Sequence, residues 1–522
     1  MKTRELAFLT WILLPLIAMT GSALAEEAKL SLRELENKVR GGWAGQMIGV
    51  AVGGPTEFRA QASTYDKPLS WDPKLMRSVL RQDDLYVEMT FCQVLDTVGL
   101  DAEPVHFGVA FGLSRYRLWH ANLVGRHNIR HGIMPPDSGH PKYNAHADDI
   151  DFQIEADFIG LMCPGMPWTA AQYADRVGHV MNYGDGVYGG VFVSAMYAAA
   201  FFERDPRKIV EVGARALHPR SKYGQLIRDI LDVHQRDPDN WLAAWTMVEE
   251  KWANRDACPY GALRPFDIDA KTNGGYIAIG LLYGGGDFKR TIEIATRCGQ
   301  DSDCNPANAG GVLGVALGYD ALPEDWQKAA EDLGDEKFSY TEYSFNDIVE
   351  STVERAKKLV VANGGRVTED AVIVRCEEAR PLPTLEQWDH GRAAKRIDAA
   401  DAAWSWKGNW EKAKRGEATH AESNHKGDEA SLTFEGSGVI VLGTWANDAG
   451  IVEAYLDGKR HGRTNLYEND RSRRDGESVF HVFGLEPREH EVRLLVTGEK
   501  SSDARDAFVR IEGAVIFEPE RE

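Results

Sequence analysis

From residue 31 onward the apolar positions recur at helical spacing. Ser31 is a cap candidate for a helix over 32–52 that carries Trp43, Met47 and Ile48, with Gly45, Gly49 and Gly53 four residues apart. That pattern predicts close packing on a neighbouring backbone. A second helix is predicted over 84–98 from Leu85, Met89, Cys92 and Val94, which puts Asp84 and Glu88 on one face. Small-residue helices follow at 189–202, at 273–284 and after Asp303, where Ala309, Gly310, Gly311, Gly314 and Ala316 cluster. Near residue 362 the period changes. Short alternating runs at 430–435, 438–443, 451–456, 491–496 and 508–517, with turns such as Asp457-Gly458, predict strands of a β-sandwich. The chain is therefore expected to be multidomain, a mainly α-helical domain followed by a smaller all-β sandwich.

Composition adds limits. With 522 residues, 43% hydrophobic and 27% charged, the chain is long enough for more than one core. Its formal charge of −20 argues against nucleic acid or anionic membrane as a partner and leaves a small molecule or glycan. Lys2 and Arg4, the apolar run from Leu6 to Met19 and Ser22-Ala23-Leu24-Ala25 read as a signal peptide over 1–25. That run is short of the roughly 20 residues a membrane span needs, and no later stretch qualifies. Export to the periplasm or beyond follows as an expectation. The remaining divisions are a helical domain over 26–365, a connector over 366–403 containing Pro381 and Pro383, and the sandwich over 404–522. Six scattered cysteines show no zinc spacing; Cys298 and Cys304 flank two aspartates, and either a mutual pairing or buried thiols suits them. The sequence leaves the oligomeric state open.

The chemistry concentrates in acidic pairs. Asp301 and Asp303 stand one residue apart before the small-residue helix, and carboxylates so placed repel unless a cation or proton lies between them. A hard divalent ion meets that need. Upstream lie Glu57, in Gly53-Gly-Pro-Thr-Glu-Phe58, and the pair Asp83 and Asp84. Residues 122–151, rich in His, Gly, Pro, Asn and Asp, read as a long loop in which His146, Asp148, Asp149 and Asp151 are open to a role or to plain hydration. Glu155 and Asp157 follow in an apolar context, and His179, Asn182, Tyr183, Asp185 and Tyr188 lead into the next helix. Trp404, Trp406, Trp410 and Trp445 are either sugar platforms or sandwich core.

In order and position, these stretches resemble the ADP-ribosylglycohydrolase family, which includes the dinitrogenase reductase-activating glycohydrolase. Its Gly-Asp-Ala-x-Gly-x-Pro-x-Glu-Phe segment is similar to Gly49 through Phe58, with Val50 in place of the Asp. Its Thr-Asp-Asp-Thr segment is similar to Gln82-Asp83-Asp84-Leu85, and its Gly-x-Asp-Thr-Asp-Thr segment to Gly299 through Cys304. The resemblance implies an all-helical fold and one or two Mg²⁺ ions, with Mn²⁺ or Ca²⁺ as substitutes. The implied metal ligands are Glu57, Gln82, Asp83, Asp84, Asp301 and Asp303. Gln82 and Cys304 replace hydroxyl ligands, and thiol suits a hard ion poorly. Glu57 and Asp84 are the catalytic candidates, Glu57 as general base. Glu88, Asp157, His179, Asn182, Tyr183 and Asp185 are candidates for substrate binding, Asp157 by its likeness to an acidic residue in the family's middle region.

The activity so implied is metal-dependent hydrolysis of a glycosidic bond. Export favours an extracellular glycoside or nucleoside-like substrate over an ADP-ribosyl conjugate. A metal-free pair of carboxylates using Glu88 or Asp157 is one alternative. A non-catalytic sugar-binding or structural protein on the same fold is another. The sandwich is loosely similar to accessory domains of secreted carbohydrate-active enzymes.

Overall fold

Ser31 accepts a hydrogen bond from the Glu34 N–H at 3.1 Å and so starts the helix Leu32–Gly53. This helix crosses the glycine-rich helix Cys304–Leu317 along a seam of small residues. A Cβ at Gly41, Gly45, Gly49 or Gly53 would overlap the carbonyl oxygens of Gly314, Gly310, Pro306 and Ser302 respectively. The four-residue steps ascend on one helix as they descend on the other, so the pair is antiparallel and in backbone contact. The seam ends with the residues after Gly53 facing those before Cys304. It thereby fixes where Glu57 and the Asp301/Asp303 loop meet.

The structure is a computed structural model that describes residues 27–253, 257–415, 418–469 and 473–520. The expected signal peptide lies outside the described residues. Among them, sixteen α-helices occupy the stretch up to Ala362, and no helix is long and apolar enough to cross a membrane. The predicted helices at 84–98, 189–202 and 273–284 are Asp83–Thr97, Asp185–Ala200 and Ala270–Gly284. Part of the expected 122–151 loop is instead the helix His120–Arg130. Its cap is remote in sequence. The Asp151 carboxylate accepts from the N–H groups of Ala121 and Asn122, each at 3.1 Å, so no local signal marked the start.

The stretch expected to be a connector is divided between the two bodies. Ala371–Arg375 pairs with Glu27–Ser31 and with Arg366–Val367 beside the helices, whereas Arg392–Asp398 pairs with Val509–Glu518 inside the sandwich. The sandwich has two antiparallel sheets. Lys459–Asn465, Ile451–Leu456, Arg488–Val496, Glu429–Gly436 and Trp404–Lys407 form one. Arg474–Val482, Gly438–Trp445, Val509–Glu518, Ala418–Ser423 and Glu411–Arg415 form the other, with Arg392–Asp398 alongside.

Trp404 and Trp445 are buried, so they serve as core. Trp406 stacks on Trp404 at 5.4 Å and meets Trp410 edge-on at 5.0 Å, both half-buried. The two bodies share an apolar seam in which Ala145, Ala257 and Ala262 pack with Ile440, Leu442, Val515 and Phe517. Polar ties surround it. Arg396 donates to the carbonyls of Ala262 and Pro259, and Trp445 lies 4.2 Å from the His127 ring.

Candidate metal centre

Three chain segments bring the carboxylates together. The Gly54–Thr56 turn follows the first helix directly and presents Glu57, whose neighbour Phe58 takes a left-handed backbone (φ 52°). The Phe58 N–H donates to the Gln300 carbonyl at 3.0 Å and the Gln300 N–H to the Ala60 carbonyl at 2.8 Å. Thr56 Oγ1 and Ser302 Oγ lie 2.8 Å apart. The Glu57 loop and the Asp301/Asp303 loop are thus laced to each other. The third segment is the start of the helix Asp83–Thr97, with Asp83 and Asp84 in its first turn.

Two groups converge. A ligand atom from each of Glu57, Asp301 and Asp303 lies within 4.8 Å of the others, and the same holds for Asp84, Asp303 and Cys304. Asp303 belongs to both. Both helices that carry these residues point their N-termini inward, where partial positive charge favours carboxylates. That support is insufficient. Both oxygens of Asp84 and Oδ1 of Asp301 are buried with no hydrogen-bond partner. Burial and then the Asp303 and Asp83 charges push Asp84 well above the carboxylate range, and burial and Asp303 do the same for Asp301. Partial desolvation, Asp303 and Asp83 raise Glu57, at the rim, to about 8, while burial and Asp303 raise Asp83 to about 6. A donor set of carboxylate oxygens with unpaired buried lone pairs fits a hard divalent cation.

The two hydroxyl substitutions differ in placement. Cys304 is buried against Asp303 and Asp84, its thiol pushed up by burial and by the Asp301 and Asp303 charges, so it faces this centre as a neutral group. Among the described residues no disulfide joins it to Cys298 or links any other cysteine pair. Gln82 is half-buried, and its Nε2 lies beside Gly54, next to the Glu57 turn.

The expected substrate residues separate. Glu88 and Asp157 are fully buried together: Gln46 Nε2 donates to Glu88 at 2.7 Å and to Asp157 at 3.3 Å, Asn308 donates to Asp157 at 2.8 Å, and the Phe158 N–H donates to Glu88 at 3.0 Å. This network lies within the helices and leaves no surface for a substrate. Asp84 is likewise at 0% exposure and lies with Asp303 and Cys304 in the second converging group. Asn182 donates to the Ala147 and Asp149 carbonyls and accepts from the Phe152 N–H, which pins the loop backbone. His179 bonds Glu386 at 2.9 Å and lines a separate pocket with Tyr183 and Tyr188. Asp185 accepts from the Tyr223 N–H and faces Lys271 in another.

Other residues stand closer. Glu155, rather than Asp157, interacts by charge with Asp83, and Asn122 donates to it. His120 interacts with Asp83 and stacks on Phe266 at 5.9 Å. Phe266 lies 4.9 Å from Phe58, and Tyr260 meets His120 edge-on at 5.4 Å. Together Phe58, Phe266, His120 and Tyr260 form an aromatic wall beside the carboxylates. Of the four, only Phe58 lies in a motif the sequence singled out; His120 precedes the 122–151 loop, and Tyr260 and Phe266 sit in a segment with no chemical motif.

A family model described as ADP-ribosylglycohydrolase matches residues 31–362. No curated protein matches the sequence. Among solved structures, the chain is similar to an ADP-ribosylglycohydrolase-related protein complex, with 13% identity, a TM-score of 0.40 and coverage of 62% of this chain and 98% of that one. It is also similar to a Paenibacillus xanthan lyase (9%, TM-score 0.21, 28% of this chain and 15% of that one). A two-domain esterase active on acetylated mannans is similar at 11% identity, TM-score 0.23, over 37% of this chain and 50% of that one.

Proposed function

This chain belongs to the ADP-ribosylglycohydrolase family, and on that premise we propose that it hydrolyses a glycosidic bond at the Glu57/Asp83/Asp84/Asp301/Asp303 centre. The observation that carries this reading is the set of buried, unpartnered oxygens of Asp84 and Asp301 beside Asp303. Five carboxylates without a cation would be a liability that nothing else in the fold repays. Asp83, Asp84, Asp301, Asp303 and Glu57 would hold Mg²⁺ or a similar ion, with the Gln82 carbonyl oxygen as a further donor. When bound, such an ion orients sugar hydroxyls and stabilises developing negative charge.

The chain's own groups do the rest. Glu57, at the rim, would take the proton of the attacking water as that water bonds to the anomeric carbon and the bond from this carbon to the departing group breaks, the departing group leaving with a proton taken from Glu57 or from solvent. Asp301 and Asp303 hold the geometry because their loop is tied to the Glu57 loop through Thr56 and Ser302. Phe58 and Phe266 offer flat apolar faces for a sugar or base, and His120 a polar edge. Thr56 and Ser302 bond each other in the lacing, and Cys304 would offer a protonated thiol. The ligand set would therefore consist of the carboxylates and the Gln82 carbonyl oxygen.

The substrate we favour is an exported enzyme's substrate, an extracellular glycoside or nucleoside-like molecule. The support is the leader-like sequence of residues 1–25. Mass spectrometry of the secreted chain tests export: a mature N-terminus at Glu26 is expected, and an intact Met1 in the cell pellet would remove this argument. An ADP-ribosyl conjugate is the second reading, favoured by the family itself. Calorimetric titration of Mg²⁺ into the parent, Asp301→Ala and Asp303→Ala, followed by a hydrolysis screen of aryl glycosides, nucleosides and ADP-ribosyl-arginine, separates these readings. Binding and turnover lost together in both variants are expected. Metal binding without turnover of any of the three classes would favour a non-catalytic binding protein.

A further inference from the structure

A second cluster lies beside the acidic centre, with different donor atoms. His120 opens the helix His120–Arg130, His146 and Asp149 lie in the loop after it, and Cys258 follows the helix Trp241–Lys251. One ligand atom from each of the four falls within 4.8 Å of all the others. His146 Nδ1 lies 2.7 Å from Asp149 Oδ2 and 3.5 Å from Cys258 Sγ, and His120 Nδ1 lies 3.4 Å from the same Asp149 oxygen.

The hydrogen bonds present do not account for this convergence. Asp149 is fully buried, yet its Oδ1 has no hydrogen-bond partner, and neither does His120 Nδ1. An acid–base relay places nucleophile and carboxylate on opposite imidazole nitrogens. Here Cys258 and Asp149 both face Nδ1 of His146, while Nε2 is held by Glu477 of the sandwich at 3.2 Å. One imidazole nitrogen turned to the donor cluster and the other fixed by a carboxylate is how metal-binding histidines are oriented.

The dimensions agree. Bond lengths of about 2.0 Å to nitrogen or oxygen and about 2.3 Å to sulfur give tetrahedral edges of roughly 3.3–3.6 Å. The His120–Asp149 and His146–Cys258 separations match those edges, and the His146–Asp149 contact would open by less than an ångström. Charge also balances. A thiolate and a carboxylate neutralise a dication, so the ion with its four ligands carries no net charge where it is buried, and the Glu477 carboxylate beside it is paired with the His146 Nε2–H.

We propose that His120, His146, Asp149 and Cys258 form a tetrahedral zinc site, closed by four protein ligands, that locks the helical domain to the sandwich through Glu477. Thiolate and imidazole select a softer ion than the all-oxygen centre nearby, so the two sites differ in metal. Four protein ligands make the site structural rather than hydrolytic. It gathers three distant chain segments at the domain seam, where Glu477 also accepts the Tyr260 hydroxyl at 2.7 Å. The proposal stands whether or not the acidic centre is catalytic.

Cobalt reads it directly. The full chain, stripped by chelator, is titrated with Co²⁺ and followed by absorption. Expected are intense visible bands of tetrahedral Co²⁺ and a near-ultraviolet thiolate band, both saturating at one equivalent and bleached by Zn²⁺ but not by Mg²⁺. Cys258→Ser should remove the thiolate band. Cys304→Ser and the Asp301→Asn/Asp303→Asn double variant should keep it. No thiolate band in the parent means an ion pair only, and the proposal falls. A band lost in Cys304→Ser would assign the ion to the acidic centre and overturn it equally. Should Cys258→Ser lose its native circular dichroism, the parent and the Cys304→Ser chain still decide.

Discussion

Gly53 lies so close to Ser302 that a Cβ on the glycine would overlap the Ser302 carbonyl oxygen, and three residues later Thr56 Oγ1 meets Ser302 Oγ at 2.8 Å. This junction converts a packing seam into a functional one. The helix pair ends where the Glu57 and Asp301/Asp303 loops must touch, so positioning of the carboxylates inherits the rigidity of the backbone contact.

Gly45→Ala should therefore destabilise the protein by at least about 1–3 kcal/mol, because the methyl group meets the Gly310 backbone and not a flexible side chain. Gly462→Ala, where an added Cβ meets nothing, should stay within about 0.5 kcal/mol. Denaturant unfolding monitored by circular dichroism compares the two. Equal midpoints would rule out the seam as a constraint.

Metal-free protein should lose stability as pH rises. Asp83 goes from 3.8 to about 6 and Glu57 from 4.5 to about 8 on folding, so the folded state holds protons that the unfolded state has released. Their contribution is full below pH about 4 and falls as pH climbs through about 8. Mg²⁺ binds the deprotonated form, so the stabilisation it adds should grow over the same window. Melting with chelator or with Mg²⁺ at several pH values checks this; an increment that shrinks toward high pH would contradict it.

Asp84→Asn should separate stability from function. The neutral amide removes the cost of burying a carboxyl that must be protonated to sit beside Asp303 and Asp83, so the metal-free melting midpoint should rise while the Mg²⁺-dependent increment disappears. Turnover should drop beyond the roughly 10–100-fold loss typical of residues that only orient metal ligands. Unchanged Mg²⁺ stabilisation in this variant would exclude Asp84 from the centre.

Glu477→Ala should cost about 3–5 kcal/mol, since it strands His146 and the Tyr260 hydroxyl in a site where Glu477 itself is 1% exposed. Burial alone would raise this carboxyl, but the His146 and Tyr260 bonds hold it below its ordinary range. Its contribution is present above pH about 4.5 and is lost as pH falls below that. Scanning calorimetry should show the helical and sandwich transitions drawing apart. A single unshifted transition would show that the apolar seam alone joins the domains.

Much of this architecture is legible in the order of residues because its causes are local. Helical spacing of Trp43, Met47 and Gly45/Gly49/Gly53, the Ser31 cap and the alternating runs after 429 each act within a few residues, and they marked both the helices and the change to strands. The acidic pairs were visible too, since neighbouring carboxylates must be compensated wherever they fold. Strands such as Arg474–Val482 and Lys459–Asn465 were not, because the first buries the charged Arg474 and Glu477 at inward positions and the second carries no apolar side chain to alternate.

Tertiary structure alone decided which polar groups meet. His120 depends on a helix capped by Asp151, His146 on Glu477 more than three hundred residues away, and Glu155 on Asn122. Such pairings follow from how whole helices and sheets pack, and no short-range pattern encodes them. The same packing drew His179 and Asp185 into other pockets and enclosed Glu88 and Asp157 inside the bundle. The sequence by itself determined that carboxylates would cluster, and the glycine seam determined which of them share one centre, because only backbones in direct contact hold two distant loops in fixed register.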